Sequence, residues 1–180
     1  MVPAAQAIVE HLKFIDESGV NLGLTRLFGR AAPGQRVVEA TPGASSPHYT
    51  VVVALGVDGV QAPWLLDGAM NTVSFETYVE QILAPALQAG DWVLLDNLSV
   101  HKGSSVRSAI EARGARVIFL PPYSPALNPI ELCWAKVKTA LRAAKARTWD
   151  ALVDALATAL RSVSPEDVQA WFIHCGYALP

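Results

Sequence analysis

The sequence predicts an α/β fold in which helices pack on a mixed β-sheet. Its 180 residues are 52% hydrophobic, which suffices for one compact domain with a buried core. Tyr49–Val57 is apolar and β-branched, as a buried strand should be, and an Asp-Gly turn separates it from a candidate strand at Gln61–Leu66. Candidate strands at Trp92–Asp96 and Arg116–Leu120 flank a helical segment, which predicts a parallel pair joined by a right-handed crossover.

The first part of the chain is expected to supply further strands. Leu12–Asp16 is predicted to be a strand that ends at a carboxylate, and Asn21–Phe28 a weaker strand. Ala31–Ser46 is rich in glycine, proline and serine, which predicts a loop with a short strand at Arg36–Ala40. We therefore expect one domain over residues 12–180, preceded by residues 1–11 as a lead-in or as the stub of an upstream region.

Helices are predicted from their caps and from apolar periodicity. Asparagine is a preferred N-cap and proline a preferred first residue, so Asn128 and Pro129 are predicted to open a long helix. Ser74 is predicted to cap an earlier helix, and Gly114 to close another. The expected helices are Ser74–Gln88, Ser104–Arg113, Asn128–Ala146, Thr148–Val163 and a last one that begins at Ser164-Pro165.

Composition and cysteine content narrow the class of protein. No segment reaches the roughly 18 consecutive apolar residues of a membrane helix, and the N-terminus lacks a secretory pattern. Cys133 and Cys175 have neither disulfide-framework nor metal-ligand spacing, so we expect two reduced and mostly buried thiols. These features together predict a soluble intracellular protein.

Charge is distributed unevenly along the chain. The formal net charge is −2, but residues 101–147 hold nine basic residues against only Glu111 and Glu131, which gives that window +7 and leaves the rest at −9. Such asymmetry is typical of a surface that faces a polyanion. Solvated lysines and arginines on exposed helices explain it equally well, and charge alone does not separate the two interpretations.

Two aspartates share one sequence context. Asp16 and Asp96 each follow a run of mostly apolar strand residues and precede a polar turn. If the two strands are neighbours, both carboxylates meet at one end of the sheet, where like charges are unfavourable without a cation between them. Mg²⁺ suits such a site, because it prefers a few carboxylates together with water and phosphate oxygens. The alternative is that each aspartate only caps a turn.

Glu131 is a candidate third ligand at the start of the Asn128 helix. An apolar stripe that includes Ile130 and Trp134 is expected to pack on the sheet, with Trp134 in the core. The adjoining flank of the helix carries Glu131 and then a basic row, which suits a site that holds metal and follows a phosphate backbone. The basic row consists of Lys138, Arg142 and Lys145. A capping-box role for Glu131, bonded back to the Asn128 backbone, is compatible with this one.

These residues resemble the catalytic domain of DDE transposases of the Tc/mariner superfamily, in the bacterial insertion-sequence branch. The resemblance extends from about Leu12 to Lys145, and 34 residues separate Asp96 from Glu131, as is typical of that superfamily. The proline-rich block followed by Glu131 is the most specific part. The matching segments are Phe14–Gly19, Leu95–Asn97 with His101 and Lys102, Leu120–Pro125, Leu127–Glu131 and Trp134.

The resemblance implies a ribonuclease H-like fold, as in retroviral integrases, with a mixed five-stranded sheet and helices on both faces. Asp16 is then on the first strand, Asp96 on the adjacent fourth strand and Glu131 on a later helix. The implied activity is metal-dependent hydrolysis at transposon ends, followed by attack of the 3′-hydroxyl on target DNA. Two Mg²⁺ ions are the implied cofactors, with Mn²⁺ as a substitute.

The resemblance also implies partners and a location. Transposon ends and target DNA are the expected partners, with a homodimer as the active complex in a bacterial, nucleoid-associated, cytoplasmic setting. Such transposases normally begin with helix-turn-helix modules, and the catalytic strand here starts near residue 12, so we expect that module to be missing. A ribonuclease H-like nuclease without strand transfer, and a decayed or domesticated DNA-binding domain, remain the alternatives.

Other residues of the matching segments have two interpretations each. His101 is expected either to be a structural or supporting residue or to contact DNA or a metal-bound water. Asn97 either orients Asp96 or forms a turn. Asn128 is expected to act through the helix it caps. The basic row of Lys138, Arg142 and Lys145 is expected to contact DNA.

Overall fold

A five-stranded mixed sheet forms the centre of the protein, in a computed structural model that describes residues 9–42, 46–122 and 124–179. The strand order across the sheet is β3-β2-β1-β4-β5, so β1 is the central strand. The strands are β1 (Leu12–Asn21), β2 (His48–Gly56), β3 (Gly59–Asp67), β4 (Trp92–Leu95) and β5 (Arg116–Phe119). A mixed sheet of this order confirms the architecture expected from the sequence.

Strand pairing follows from the connections. β2 and β3 form an antiparallel hairpin that turns at Asp58 and Gly59, where Gly59 has φ +121°. β1 pairs antiparallel with β2 and parallel with β4, and β4 pairs parallel with β5. The β4–β5 connection contains a helix, as a parallel crossover requires. β1 therefore has an antiparallel neighbour on one side and a parallel neighbour on the other.

Six helices are assigned within the described residues. α1 continues through a π-helical turn, Val79–Leu83, directly into the three-residue α2. Short 3₁₀ turns at Ser99–His101 and Pro125–Leu127 precede α3 and α4. The helices are α1 (Thr72–Tyr78), α2 (Ala84–Ala86), α3 (Ser104–Glu111), α4 (Ile130–Ala144), α5 (Trp149–Arg161) and α6 (Pro165–His174).

Helices cover both faces of the sheet, and each face has its own core. On one face, α4, α5 and α6 bury side chains such as Val137, Leu156 and Phe172 against Phe14 of β1. On the other face, α1 and α3 pack on Ile15 and its neighbours. Successive side chains of β1 alternate between the two cores, as the pleat of a strand requires. Both cysteines are buried free thiols, which confirms that prediction.

Three strand predictions at the start of the chain were wrong. β1 does not end at Asp16 but continues to Asn21, because its antiparallel partner β2 supplies pairing as far as His48. The strands predicted at Asn21–Phe28 and Arg36–Ala40 are absent from the described residues, where the backbone between β1 and residue 42 is loop. No neighbouring strand is available there to pair with them, and Phe28 is exposed.

Three predicted helix ends also differ. The N-cap of α1 is Asn71, whose side chain accepts a hydrogen bond from the Ser74 N–H, so Ser74 lies inside the helix. α3 ends at Glu111, and Gly114 completes the turn after it with φ +75°. α4 begins at Ile130, one residue later than predicted. Thr148 and Ser164 cap α5 and α6 through their side chains, as expected.

Among the described residues, no helix is both long and apolar enough to cross a lipid bilayer.

Candidate active site

Strand register places Asp16 beside Asp96. The parallel ladder between β1 and β4 runs from Leu12 and Trp92 to Phe14 and Leu94. Asp16 lies two residues beyond Phe14, and Asp96 lies two residues beyond Leu94, so both aspartates lie just past the end of this ladder on the same side. Asp16 stays within β1 and Asp96 follows the last residue of β4. Two carboxylates therefore share one end of the sheet.

Asp16 is a half-buried carboxyl group in a repulsive environment. Burial is the main effect that raises the pKa of Asp16, which reaches about 7. The Glu17 backbone N–H opposes the rise, while the carboxylates of Glu17 and Glu131 add to it. Trp134 partly stabilises the charged form, because its indole N–H donates a hydrogen bond of 3.0 Å to Asp16 Oδ2. In this environment a nearby cation would strongly favour the ionised carboxylate.

Asp96 is held through one of its two carboxylate oxygens. Asp96 Oδ1 accepts a hydrogen bond of 3.0 Å from the Leu98 N–H. The same oxygen lies 2.6 Å from His101 Nδ1. The two atoms are within ion-pair distance, but their angles do not fit a hydrogen bond. The Asp96 side chain is 40% exposed, so it is accessible from the cleft.

His101 lies beneath Asp96 and is 1% exposed. Its Nε2 lies 2.8 Å from Oε1 of Glu17, the residue after Asp16 on β1, and its ring packs on Phe75 of α1 with the centroids 4.3 Å apart. Burial lowers the pKa of His101, but Glu17 and Asp96 outweigh this effect, and the net pKa is above its ordinary value. Of the roles expected for His101, a structural or supporting one agrees with this position, because a buried ring does not reach DNA.

Glu131 faces Asp96 across a shared cavity of about 430 Å³. Both carboxylates line it, together with the loop that contains Pro121 and Pro125. Glu131 is the second residue of α4 and is exposed. No side chain caps the N-terminus of α4, so the capping-box interpretation of Glu131 was wrong. A carboxylate at a helix N-terminus is also favoured by the helix dipole.

Asn128 does not cap α4 with its side chain, which corrects the prediction. Its backbone carbonyl accepts the Glu131 N–H at 3.3 Å, but Pro129 occupies the cap position. The Asn128 side chain is buried, and its Oδ1 has no hydrogen-bond partner among the described residues. Pro129 fixes the backbone ahead of the helix, so the amide is not needed to start it.

Asn97 forms a hydrogen bond to the end of β5 rather than to the Asp96 side chain. Its Nδ2 donates a hydrogen bond of 3.2 Å to the Leu120 carbonyl, and the Leu120 N–H donates one of 2.8 Å to the Leu95 carbonyl. Asn97 therefore joins the ends of β4 and β5, next to the proline-rich loop. Of its two expected roles, the structure supports the formation of a turn.

Only part of the basic row on α4 is available to contact DNA. Lys138, Arg142 and Lys145 are all half-buried. Lys145 pairs with Glu39 of the loop after β1 and ends α4 in the left-handed conformation, with φ 53°. Arg142 borders a cavity of about 340 Å³ beneath the same loop. Lys138 and Arg142 thus remain the better candidates for phosphate contacts.

Two contacts in this cluster, one made by Trp134 and one by Glu17, were not predicted from the sequence. Trp134 was assigned to the core, and it is buried, but its indole N–H also points at Asp16. A buried tryptophan usually finds a partner for that N–H, and this was the available signal. Glu17 was expected to be either a supporting residue of the site or a solvated one, and nothing in the sequence indicated its contact with His101, 84 residues away.

Asp16, Asp96 and Glu131 are not close enough together in this structure to bind one metal ion jointly. Across residues 9–42, 46–122 and 124–179, no group of three His, Cys, Asp or Glu side chains lies close enough to hold one ion. The donor types nonetheless fit a hard divalent cation, because Asp16, Asp96 and Glu131 offer only oxygen ligands. A cation at this point would offset both the burial of Asp16 and the repulsion from Glu17 and Glu131, which together raise the pKa of Asp16.

The fold and the position of these carboxylates define a class of protein. Solved structures that resemble the chain include a Mos1 transposase paired-end complex with the left transposon end, with a TM-score of 0.72 at 19% identity over 96% of this chain and 54% of that one. The catalytic domain of Mos1 mariner transposase gives 0.61 at 14% identity over 98% and 88%. This likeness confirms a ribonuclease H-like fold.

The chain belongs to the DDE superfamily endonuclease family, whose model matches residues 11–153. A mariner Mos1 paired-end complex with Mg is also similar, with a TM-score of 0.68 at 17% identity over 93% of this chain and 54% of that one. The chain spans about half the length of the transposases in these complexes. No protein with a curated description shows significant sequence similarity to it.

Proposed function

We propose that this chain is the catalytic domain of a DNA transposase of the Tc/mariner superfamily, in its bacterial insertion-sequence branch. One observation carries the proposal: in a DDE superfamily endonuclease, Asp16 and Asp96 lie at the same end of adjacent parallel strands, and Glu131 lines one cavity with Asp96. The reaction proposed is hydrolysis of phosphodiester bonds at transposon ends, followed by transfer of the 3′-hydroxyl end into target DNA.

Asp16, Asp96 and Glu131 are the proposed catalytic residues and the proposed ligands of two Mg²⁺ ions, for which Mn²⁺ can substitute. The ions, when bound, would activate the attacking oxygen and neutralise the leaving oxygen. A similar Mos1 complex contains Mg, which supports the choice of metal. The oxygen-only donor set and the mutual repulsion of the carboxylates support it independently.

The protein's own contribution is to position the carboxylates. The parallel pairing of β1 with β4 brings the backbones of Asp16 and Asp96 to one end of the sheet, while Trp134 and His101 each lie against one oxygen of the corresponding side chain. Glu131 approaches from α4, which α5 and α6 hold against the sheet. Phosphoryl transfer needs little covalent chemistry from the protein, so a rigid placement of negative oxygens is the main requirement.

DNA is the proposed partner, as transposon ends and as target. Lys138 and Arg142 are placed on α4 beyond Glu131, where a phosphate backbone that leaves the cleft would pass. The similar Mos1 complexes contain paired ends, so we propose that this domain acts as a homodimer. We also propose that a helix-turn-helix module supplies recognition of the terminal repeats.

A joining assay tests the proposal directly. A short duplex with a free 3′-hydroxyl end is incubated with a supercoiled plasmid and Mg²⁺ or Mn²⁺, and the joined products are sequenced. The proposal predicts joined products that disappear in Asp96→Asn and remain in Glu111→Gln, a matched change at an exposed carboxylate on α3.

Two other results would each contradict the proposal in a different way. Nicked plasmid without joined product indicates a ribonuclease H-like nuclease. DNA binding without any metal-dependent cleavage indicates a domain that has lost catalysis. The duplex is supplied at high concentration, because weak recognition of the ends would otherwise imitate a loss of chemistry.

A further inference from the structure

The backbone pairing between β1 and β4 stops before it reaches Asp16 and Asp96. The β1–β4 ladder ends at Phe14 and Leu94, and β4 itself ends at Leu95. Beyond that point, side chains must fix the separation of the two aspartates. His101 makes such a link, because it contacts Glu17 of β1 on one side and Asp96 on the other.

The two carboxylates that His101 contacts differ in whether they are available to a ligand. Asp96 Oδ1 is engaged by both His101 and the Leu98 N–H, while Oδ2 accepts no hydrogen bond from the described residues. Oδ2 is therefore the oxygen available to a ligand in the cleft. Glu17 Oε1 is engaged by His101 Nε2, and the Glu17 side chain is only 12% exposed, so this carboxylate serves as an anchor.

The surroundings of His101 keep its ring in one orientation. The ring is buried against Phe75 of α1, a residue that is itself fully buried in the second core. The segment between Asp96 and α3 has one short 3₁₀ turn, Ser99–His101, as its regular structure. A bulky ring fixed on both edges gives this segment a rigid position that its backbone alone does not supply.

We infer that His101 is a positioning residue, anchored by Glu17, that holds Asp96 with Oδ2 directed at the catalytic cation. The inference rests on the proposed function, in which Asp96 binds metal. It assigns neither DNA contact nor proton transfer to His101. Partners that orient a metal-binding carboxylate typically contribute a factor of about 10 to 100 in metal affinity.

Two substitutions of His101 separate its two contacts. In His101→Asn, the amide nitrogen replaces Nδ1 and keeps a donor for Asp96. In His101→Gln, the amide nitrogen replaces Nε2 and keeps a donor for Glu17 only. Binding of Mn²⁺ is measured by the electron paramagnetic resonance signal of the free ion, and melting temperatures show that each variant is folded. We expect the Mn²⁺ Kd to rise about 10- to 100-fold in His101→Gln and only a few-fold in His101→Asn.

A second pair tests the anchor without a change at His101. Glu17→Gln and Glu17→Ala each remove one negative charge, but only Glu17→Gln keeps an acceptor for His101 Nε2. The inference predicts Mn²⁺ binding that is a few-fold weaker in Glu17→Ala than in Glu17→Gln, comparable to the effect of His101→Asn, which loses the same contact. A purely electrostatic role of Glu17 predicts equal binding and would overturn the inference.

The reference measurements distinguish failure of the inference from failure of the proposed function. If wild type binds Mn²⁺, Asp96→Asn does not, and both members of each pair bind equally, His101 has no positioning role and the metal site stands. If wild type fails to bind Mn²⁺, or binds it as Asp96→Asn does, the proposed metal site fails, and the inference fails with it.

Discussion

The Trp134 indole N–H donates a hydrogen bond of 3.0 Å to Asp16 Oδ2, and so joins α4 to the central strand β1. Trp134 lies three residues after Glu131, close to one turn along the same helix. The helix that carries one candidate ligand is thus fastened to the strand that carries another. Trp134 therefore occupies Oδ2 of Asp16 and donates no hydrogen bond to Oδ1.

Trp134→Phe tests this link. The change keeps an aromatic ring in the core but removes the N–H, so we expect the pKa of Asp16 to rise further and joining activity near pH 7 to fall about tenfold. The loss of one hydrogen bond to a charged group is expected to lower the free energy of unfolding by about 1–3 kcal/mol. Activity is measured against pH, with Trp171→Phe, a half-buried tryptophan of α6, as the control. An unchanged pH profile would show that the bond has no effect on Asp16.

The raised pKa of Asp16 predicts how stability depends on pH in the metal-free protein. The pKa of Asp16 is about 7 in the folded chain against 3.8 for the free group, so the folded state binds this proton more tightly. The resulting stabilisation is complete below about pH 4 and is lost as the pH rises through 7. Over about three pH units this amounts to no more than about 4 kcal/mol.

Asp16→Asn should therefore be more stable than wild type at pH 8, by about 2–4 kcal/mol, and nearly equal to it at pH 4. Urea unfolding in the presence of a chelator measures this difference. Addition of Mg²⁺ at pH 8 should raise the free energy of unfolding in wild type and leave Asp16→Asn nearly unchanged. A variant that is less stable than wild type at pH 8 would contradict the view that an uncompensated charge sits at Asp16.

The three carboxylates should be individually necessary. Asp16→Asn, Asp96→Asn and Glu131→Gln each keep the shape of the side chain and remove one anionic ligand. We expect each to reduce joining by at least about a hundredfold, with circular dichroism unchanged. Glu111→Gln is a useful control, because Glu111 is an exposed carboxylate on α3 that does not line the cleft. Loss of activity from Asp16 and Asp96 but not from Glu131 would restrict the site to two ligands.

The basic row should contribute to DNA affinity in unequal parts. Lys138→Ala and Arg142→Ala are each expected to weaken binding to all sequences alike and to reduce the salt dependence of the affinity by about one ion. Lys145→Ala should have a smaller effect, because Lys145 is already paired with Glu39. Fluorescence anisotropy at several salt concentrations measures both quantities. Equal effects of the three variants would mean that the Lys145–Glu39 pair opens when DNA binds.

Much of the sheet was predictable because its signals are local. The hairpin of β2 and β3 follows from an apolar run and an Asp-Gly turn, and the β4–α3–β5 unit follows from alternating apolar strands and a helix. The length of β1 was not predictable in the same way. Glu17, Ser18 and Gly19 resemble the end of a strand, but pairing with β2 extends the strand across them.

The positions of the carboxylates were predictable, whereas their supporting contacts were not. Strand ends and helix starts are visible in the sequence, so Asp16, Asp96 and Glu131 could be selected as candidates. The contacts made by His101 join residues 84 positions apart, and that of Trp134 spans 118. Only the folded chain shows that a histidine in a polar loop is buried between two carboxylates.

The central claim is that Asp16, Asp96 and Glu131 hold a divalent cation, and anomalous scattering from Mn²⁺-soaked crystals tests it most directly. We predict an anomalous peak between Asp16 and Asp96, within ligand distance of both, that is absent from crystals of Asp96→Asn. A well-ordered site without a peak, or a peak that persists in Asp96→Asn, would contradict the account.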